Sequence, residues 1–195
     1  MVIPAGPTQG GTDACVALSN DNGFLQWAAQ LGTTSYDRSL EVSADNFGNA
    51  SITGYTHGDL EAQNAENRDV FVSKFDISGE LLWTQQLGTS ATEESLDIAL
   101  DACGNAYFTG WTGGELGGPN PDGQDVFVAK LFVPPSCELV NLDGVGLIDL
   151  RDQALFAPEW SADIPGSIGD FTCDNQVEVK DLFWLAKYWL QDCNQ

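Results

Sequence analysis

The apolar and polar positions between Phe24 and Lys130 follow a pattern that occurs twice, with a period of 56 residues and no gaps. Leu31-Gly32-Thr33 recurs as Leu87-Gly88-Thr89, and Asp69–Val72 recurs as Asp125–Val128. Within each copy, apolar and polar residues alternate in runs of about seven residues, which predicts two β-hairpins and about four strands per repeat. A fixed period of this length indicates a propeller, a solenoid or another array.

Four turn signals of the form Asp/Asn-x-x-Gly separate these runs. An Asp or Asn at the first position accepts hydrogen bonds from backbone N–H groups, and the Gly takes the left-handed position of a bulged hairpin. We therefore expect these acidic residues to shape turns rather than to bind metal. The four signals are Asn20–Gly23, Asp45–Gly48, Asp76–Gly79 and Asp101–Gly104.

The pattern changes after Leu131. Pro134 and Pro135 mark a linker over residues 133–136. Residues 137–195 then contain a second duplication, in which a twelve-residue acidic loop precedes a short helical run that contains Trp. We expect Pro158 to shorten the first helix. The second helix is predicted to pack against the first through an apolar stripe. The stripe comprises Leu182, Phe183, Leu185, Ala186, Trp189 and Leu190.

Both loops carry oxygen-bearing residues at the spacing of a calcium loop. Ca²⁺ takes ligands from loop positions 1, 3, 5, 7, 9 and 12, with a sharp turn at position 6. The second loop supplies Asp170, Thr172, Asp174, the Gln176 carbonyl, Glu178 and Asp181, with Asn175 at position 6. The first loop supplies Asn141, Asp143, the Leu147 carbonyl, Asp149 and Asp152. Its position 5 is Val145, which has no oxygen ligand in its side chain, so the second loop is predicted to bind Ca²⁺ more tightly.

The charge of the chain limits its partners. Seven Lys and Arg against 29 Asp and Glu give a net charge of −22, which argues against nucleic acid and against insertion into or binding to anionic membranes. No apolar run reaches the ~18 residues of a membrane span. Five cysteines suggest an oxidising compartment. Met1 does not open a signal peptide, which conflicts with such a compartment. A truncated N-terminus would resolve this conflict, so we expect an extracellular or cell-surface protein whose N-terminus is truncated here.

Residues 11–132 resemble the bacterial beta-propeller repeat called SBBP. The resemblance is carried by ADNFGNASITGYT and LDACGNAYFTGWT, each followed by a DVFV segment. It implies propeller blades of secreted or surface proteins, without a defined chemistry. Such proteins usually have more blades, so residues 1–132 are predicted to be an incomplete propeller. Its last strand, 125–132, would be paired by another copy or by missing strands.

Two sets of residues in the repeats have either a structural or a binding role. Trp27 and Trp83 hold equivalent positions, as do Tyr55 and Trp111, and we expect core packing between blades, with glycan stacking as the alternative. The long polar loops 57–68 and 113–124 are candidate binding loops, because loops on a rigid sheet often carry function. The single histidine, His57, is expected to be solvated.

Residues 137–195 resemble a divergent type I dockerin, the module that binds Ca²⁺ and docks onto a cohesin. The segment GDFTCDNQVEVKDLFWLAKYWL carries the resemblance best. The family reads its partner at loop positions 10 and 11, which are Leu150-Arg151 and Val179-Lys180 here, so the partner is expected to be cohesin-like or another surface protein. Dockerin folds bring their ends together, which favours a disulfide between Cys137 and Cys193, with Cys173–Cys193 as the rival.

Two cysteines lie in the repeat region. Cys15 occupies the repeat position of Phe71 and is expected in the core, whereas Cys103 lies in a turn and is expected to be free.

The combined prediction is a mainly β chain with a small helical C-terminal module: two-plus four-stranded antiparallel propeller-type blades followed by tandem calcium loops. It predicts a non-enzymatic binding or scaffold protein with a protein partner and possible self-association through blade edges. The alternative is a fragment of a carbohydrate-active enzyme that carries a dockerin, for which Glu61, Glu93 and Glu94 are candidate acids by residue type alone. A quinone-dependent propeller is a third hypothesis, from the segment DISGELLW.

Overall fold

The computed structural model describes residues 10–121, 123–133, 140–142, 147–160, 167 and 169–190. The chain divides into two compact units. The first contains the residues up to Leu100 together with Ala106–Leu131, and the second contains Asp101–Asn105 and the residues from Phe132 onward. The turn Asp101–Asn105 lies inside the predicted repeat region 1–132 but belongs to the second unit.

The first unit consists of antiparallel sheets, as the alternating pattern predicts. In the described residues, the sheets have the orders β1-β2, β3-β4-β5-β6 and β7-β8-β9. The middle sheet therefore has four antiparallel strands, which confirms the prediction of two hairpins per repeat. The strands are β1 (Ala14–Ser19), β2 (Leu25–Leu31), β3 (Asp37–Ala44), β4 (Ala50–Thr56), β5 (Asp69–Phe75), β6 (Leu81–Leu87), β7 (Glu93–Leu100), β8 (Ala106–Thr112) and β9 (Asp125–Leu131).

The 56-residue repeat is preserved in strand register and even in its irregularities. β3 has a bulge between Ser39 and Glu41, and β7 has the equivalent bulge between Ser95 and Asp97. A glycine lies opposite each bulge. A Cβ at Gly54 would come within 1.9 Å of the Arg38 carbonyl oxygen, so only glycine allows the two strands to approach so closely there.

Apolar side chains from neighbouring sheets bury one another. One core joins β1 to the middle sheet through Ala14, Val16, Ile52, Phe71 and Phe75. The next core joins the middle sheet to the third through Val70, Val72, Ile98, Ala106, Phe108 and Phe127. The two faces of β5 therefore serve different interfaces. Trp27 and Trp83 pack against these cores, in agreement with the predicted structural role.

The second unit is small and partly helical. Helix α1 spans Leu150–Phe156 and is followed by a 3₁₀ turn at Ala157–Glu159 that contains Pro158; helix α2 spans Val179–Lys187. The prediction that the proline shortens the first helix is confirmed. The core consists of Val140, Ile148, Phe156, Phe171, Val177 and Leu185.

The predicted apolar stripe of α2 is wrong in most of its members. Leu185 is buried, but the other five members are exposed. The inward face instead carries Trp184, Leu185 and Tyr188, which pack on the core of this unit. Helix length accounts for two of the five: α2 ends at Lys187, so Trp189 and Leu190 no longer follow helical spacing. Leu182, Phe183 and Ala186 lie on the other side of the helix from Leu185 and its core neighbours. Leu190 has φ +62°, outside the helical range.

Candidate functional site

The four acidic turns of the first 105 residues are structural, as predicted. In each, the side chain at the first position accepts backbone N–H groups two and four residues later; Asp45 Oδ1, for example, lies 3.0 Å from the nitrogens of Phe47 and Asn49. The four glycines have φ between +78° and +88°. A side-chain hydrogen bond from Ser78 and backbone hydrogen bonds lower the pKa of Asp76.

The second acidic loop is folded around its first and last carboxylates. Asp170 accepts the N–H groups of Asp174 and Asn175 at 3.2 and 2.9 Å. Asp181 accepts those of Thr172 and Glu178 at 3.0 and 2.9 Å. The two carboxylates thereby close the loop at both ends. Position 6 has the left-handed conformation expected of it, with φ +66° at Asn175.

Both repulsion between carboxylates and ion pairs with a lysine act in this loop. Burial raises the pKa of Asp170, and the neighbouring carboxylates Asp181 and Asp174 raise it further by repulsion. On the open side of the loop, Lys180 Nζ lies 3.0 Å from Asp174 Oδ2 and 2.7 Å from Glu178 Oε1. This lysine lowers the pKa of Asp174. The ammonium group of Lys180 thus neutralises two of the predicted calcium ligands, Asp174 and Glu178.

The oxygen donors of this loop suit a hard cation such as Ca²⁺ better than nitrogen or sulfur donors would. The Thr172 hydroxyl is shielded from solvent and makes no well-formed hydrogen bond, although it helps to lower the pKa of Asp174. Within the described residues, no three His, Cys, Asp or Glu side chains converge closely enough to hold a metal ion. A bound cation would therefore require Asp174 and Glu178 to leave Lys180 and turn inward.

The first acidic loop is only partly within the described residues. Asp143 lies outside them, together with Val145. Asp149 Oδ1 accepts the Arg151 N–H at 2.7 Å, and Asp152 Oδ2 accepts the Asp149 N–H at 2.8 Å. These two residues form a capping box at the start of α1, the counterpart of Glu178 and Asp181 at the start of α2. Asn141 is buried and Leu147 is exposed.

The disulfide pattern differs from the prediction. Cys103 and Cys173 form a disulfide and lie 70 residues apart in sequence. Cys103 is therefore not free, and the rival pair Cys173–Cys193 is wrong. The favoured pair Cys137–Cys193 lies outside the described residues. Sequence spacing could not reveal this pairing, because the turn at Cys103 belongs to the second unit only in the folded chain.

Cys15 is a free, exposed cysteine, and its predicted place in the core is wrong. The adjacent Ala14 and Val16 are buried against the middle sheet, so Cys15 faces the opposite way. At the equivalent position, Phe71 is buried because β1 and the first sheet cover it. No described sheet covers the corresponding face of β1, and Cys15 instead lines a pocket.

The glutamates considered for acid catalysis have separate surroundings. Glu93 is buried and accepts hydrogen bonds from Thr89 N, Thr89 Oγ1 and Thr112 Oγ1 at 2.7–2.8 Å. Glu94 forms an ion pair with Arg68 at 3.0 Å. Glu61 is exposed in its loop. The sequence places Glu93 and Glu94 side by side, but alternation along β7 directs them to opposite faces.

A cluster of cationic and aromatic side chains is the feature that the sequence reasoning missed. The Arg68 guanidinium lies 4.4 Å from the centre of the Tyr55 ring, and its Nε donates a hydrogen bond to His57 Nε2 at 3.3 Å. The His57 ring meets Tyr55 and Tyr36 edge-on, at 5.9 and 6.3 Å. The solvated histidine expected from the sequence is thus part of an ordered cluster.

Part of the repeat region is similar to a known family. The profile of the beta-propeller repeat family, SBBP, matches residues 26–61. The chain is also 22% identical over 116 residues to an uncharacterized WD repeat-containing protein, L264, of Acanthamoeba polyphaga mimivirus; the match covers 48% of this chain and 8% of that protein. Among the described residues, no helix has the length and apolar character needed to cross a membrane. The chain therefore carries a beta-propeller repeat, and its antiparallel sheets agree with propeller-type blades.

Proposed function

We propose that the protein is a non-enzymatic, secreted or cell-surface scaffold, in which propeller-type blades and a calcium-stabilised, dockerin-like module both bind other proteins. The beta-propeller repeat supports an interaction role, since propellers and other repeat arrays present extended surfaces to partners. The disulfide supports an oxidising location outside the cell. The partner is a cohesin-like domain or another surface protein.

The exposure of two equivalent valine pairs carries this proposal. Val70 and Val72 of β5 are 1% and 2% exposed because the third sheet covers them. Their equivalents on β9, Val126 and Val128, are 81% and 77% exposed. The repeat thus presents to solvent a surface that it buries elsewhere in the same unit. Exposed apolar surface of this kind marks protein contacts. Another polypeptide, or a second copy of the chain, would cover it.

The second unit also presents apolar residues at equivalent positions. Leu150 and Val179 are the first residues of α1 and α2, and they are 70% and 69% exposed. Both are at the loop position that reads the partner in dockerins. Phe183 is exposed on the same helix as Val179. These residues support a docking surface on the helices, with apolar side chains where the family more often has Ser and Thr.

Calcium binding is the second part of the proposal. The left-handed Asn175 and the carboxylates of Asp170 and Asp181, which close the loop, support a calcium-loop conformation. Burial raises the pKa of Asp170, and repulsion from Asp181 and Asp174 raises it further; a bound cation would relieve that repulsion. When bound, Ca²⁺ would draw its ligands from the second loop. The ion would hold the loop against α2 and would have a structural role.

The interaction surface is tested by the double substitution Val126→Asp and Val128→Asp. We expect the wild-type protein to capture a partner from extracellular extract or to self-associate, and the double variant to lose this binding. Val42→Asp is the matched control, because Val42 is 53% exposed on β3 of the middle sheet. Light scattering and cross-linking provide the measurements. Equal binding by the wild type and the double variant would count against the proposed function.

The calcium proposal is tested by thermal unfolding of the full chain with Ca²⁺, with Mg²⁺ and with chelator. Ligand at about 100 times its dissociation constant stabilises the folded state by about 2.7 kcal/mol, so Ca²⁺ should raise the melting temperature. Asp170→Asn should remove most of this increase while the Asp149→Asn variant retains it. If chelator and Ca²⁺ give the same melting temperature, the loop does not bind calcium.

A further inference from the structure

The first unit contains a pocket of about 700 Å³ that the proposed interaction surfaces do not use. Its lining comes from β1, β3 and β4 and from both ends of the loop 57–68. The residues that matter to its chemistry are Cys15, Tyr36, Arg38, Tyr55, His57 and Arg68. Two of the three arginines of the chain and its single histidine therefore meet here, in a protein with a net charge of −22.

One side of the pocket is held rigid. Arg68 is fixed by Glu94, by the face of Tyr55 and by His57. The acidic groups of the lining are occupied within the protein. Asp37 is buried and accepts hydrogen bonds from Thr33 and Thr56, and Asp13 accepts one from Gln30. These carboxylates are held by the protein's own donors.

Arg38 is the cation that remains available. It is exposed on β3, and no described residue forms an ion pair or hydrogen bond with its guanidinium. Beside it, Tyr36 exposes 60% of its surface and offers a flat ring. A guanidinium with free N–H groups matches the two oxygens of a carboxylate. The pocket thus presents one unused carboxylate receptor next to an aromatic surface.

The repeat itself indicates that folding does not require these side chains. Fifty-six residues later, the positions of Tyr36, Arg38, His57 and Arg68 are occupied by Thr92, Glu94, Gly113 and Gln124. The third sheet nevertheless has the same bulge and register as the middle sheet. The cationic and aromatic residues of the pocket are therefore additions to a fold that forms without them.

We infer that this pocket binds a single carboxylate of a partner polypeptide, from an Asp or Glu flanked by aromatic or apolar residues. Arg38 pairs with the carboxylate, Tyr36 packs against the neighbouring side chain, and the Arg68–His57–Tyr55 cluster forms the rigid wall. The charge of −22 repels polyanions, so one carboxylate fits better than an acidic tract. The choice of a polypeptide as ligand rests on the proposed scaffold function.

The probes are acetyl-Trp-Glu-Trp-amide and its neutral counterpart acetyl-Trp-Gln-Trp-amide, with binding measured by ligand-observed NMR. We expect the Glu peptide to bind the wild-type protein about tenfold more tightly than the Gln peptide. Arg38→Glu, which introduces the residue found at the equivalent position of the next repeat, should abolish that difference, and Tyr36→Thr should weaken both peptides. Arg151→Glu is the charge-matched control and should bind as the wild type does.

Cys15 supplies a second readout. Because Cys15 lines the pocket, bound Glu peptide should slow the alkylation of its thiol by iodoacetamide. Mass spectrometry of the proteolytic fragment that contains Cys15 measures the rate. Equal binding of the two peptides, no binding at about 10 mM peptide, or tighter binding of glucuronate would each overturn the inference. The valine double variant leaves the pocket intact and should bind the Glu peptide normally, so failure of the scaffold proposal and failure of the pocket are distinguishable.

Discussion

At the scale of single residues, buried carboxylates serve the fold. Asp37 and Glu93 are equivalent, and each accepts hydrogen bonds from two threonines that are also equivalent: Thr33 and Thr56 in one repeat, Thr89 and Thr112 in the next. Substituting Glu for Asp changes the reach of the side chain but not its partners. Part of the acidic excess of the chain is thus structural, because these carboxylates satisfy donors at the ends of the strands.

The ion pair between Asp45 and Lys74 gives a prediction at this scale. The side chains are 1% and 9% exposed and lie 2.8 Å apart. Burial alone would raise the pKa of Asp45, but hydrogen bonds from Lys74 and Asn49 outweigh it and lower the pKa. Lys74→Met should reduce the free energy of unfolding by about 2 kcal/mol. This is less than the loss of ~3–5 kcal/mol when one partner of a fully buried pair is removed, because Asn49 still holds the carboxylate.

The pH dependence of that loss identifies its cause. Since the folded-state pKa of Asp45 lies below its ordinary value of 3.8, the stabilisation is present above pH 3.8 and is lost as the pH falls through the folded-state pKa. Urea unfolding at neutral pH should therefore separate the wild type from Lys74→Met, and the two curves should converge in acid. A loss that is independent of pH would indicate a packing defect instead.

At the scale of elements, the two acidic loops show how one pattern can have two roles. In both loops, the residues at positions 9 and 12 form a capping box on the following helix. Asp152 and Asp181 are buried by that role. Oxygen spacing alone does not separate a helix cap from a cation ligand. The difference lies in the surroundings, and in the second loop Lys180 already neutralises Asp174 and Glu178.

This arrangement predicts competition between Lys180 and calcium. Lys180→Gln should raise the Ca²⁺ affinity of the full chain about fivefold, because two exposed ion pairs no longer have to break. Lys187→Gln makes the same change in charge on the same helix and should have little effect. Calorimetric titration measures both. If the affinity of the Lys180 variant is unchanged, Asp174 and Glu178 do not take part in binding.

At the scale of the whole molecule, the disulfide is the main constraint on the second unit. It joins the turn at Cys103 to the acidic loop at Cys173, where the backbone is left-handed with φ +54°. The core of this unit has six buried side chains in the described residues. Small cores usually need such a covalent link to reach useful stability.

Replacement of Cys103 by Ser should therefore destabilise the protein. A closed loop of 70 residues corresponds to about 4 kcal/mol on the chain-entropy account, and the measured loss should be between ~2 and ~4 kcal/mol. Cys15→Ser is the control, because an exposed free cysteine should contribute less than about 0.5 kcal/mol. Urea unfolding of both variants provides the comparison. Equal losses in the two would mean that the disulfide is not a stabilising link.

Much of the fold and part of the candidate site could be predicted because they depend on local rules. Alternating positions predicted the strands, the Asp/Asn-x-x-Gly signals predicted the turns, and Pro158 predicted the short first helix. The pocket could have been found in the sequence from the positions where the repeat departs from itself, such as Arg38 against Glu94. The inward face of α2 could not be predicted in this way, since the side chains that it buries are selected by the core of its unit.

The sequence by itself determined the repeat, the strands and the conformation of the turns, because these follow from side-chain alternation and from the backbone preferences of Asp, Asn and Gly. Only the tertiary structure decided which equivalent residues are covered. Phe71 is buried and Cys15 exposed, and Val70 is buried and Val126 exposed, although each pair holds one repeat position. It also decided the Cys103–Cys173 disulfide and the meeting of Arg68, His57 and Tyr55. The physical reason is that burial, pairing and charge contacts depend on neighbours distant in sequence, and a repeat specifies its own shape but not the neighbours that it meets.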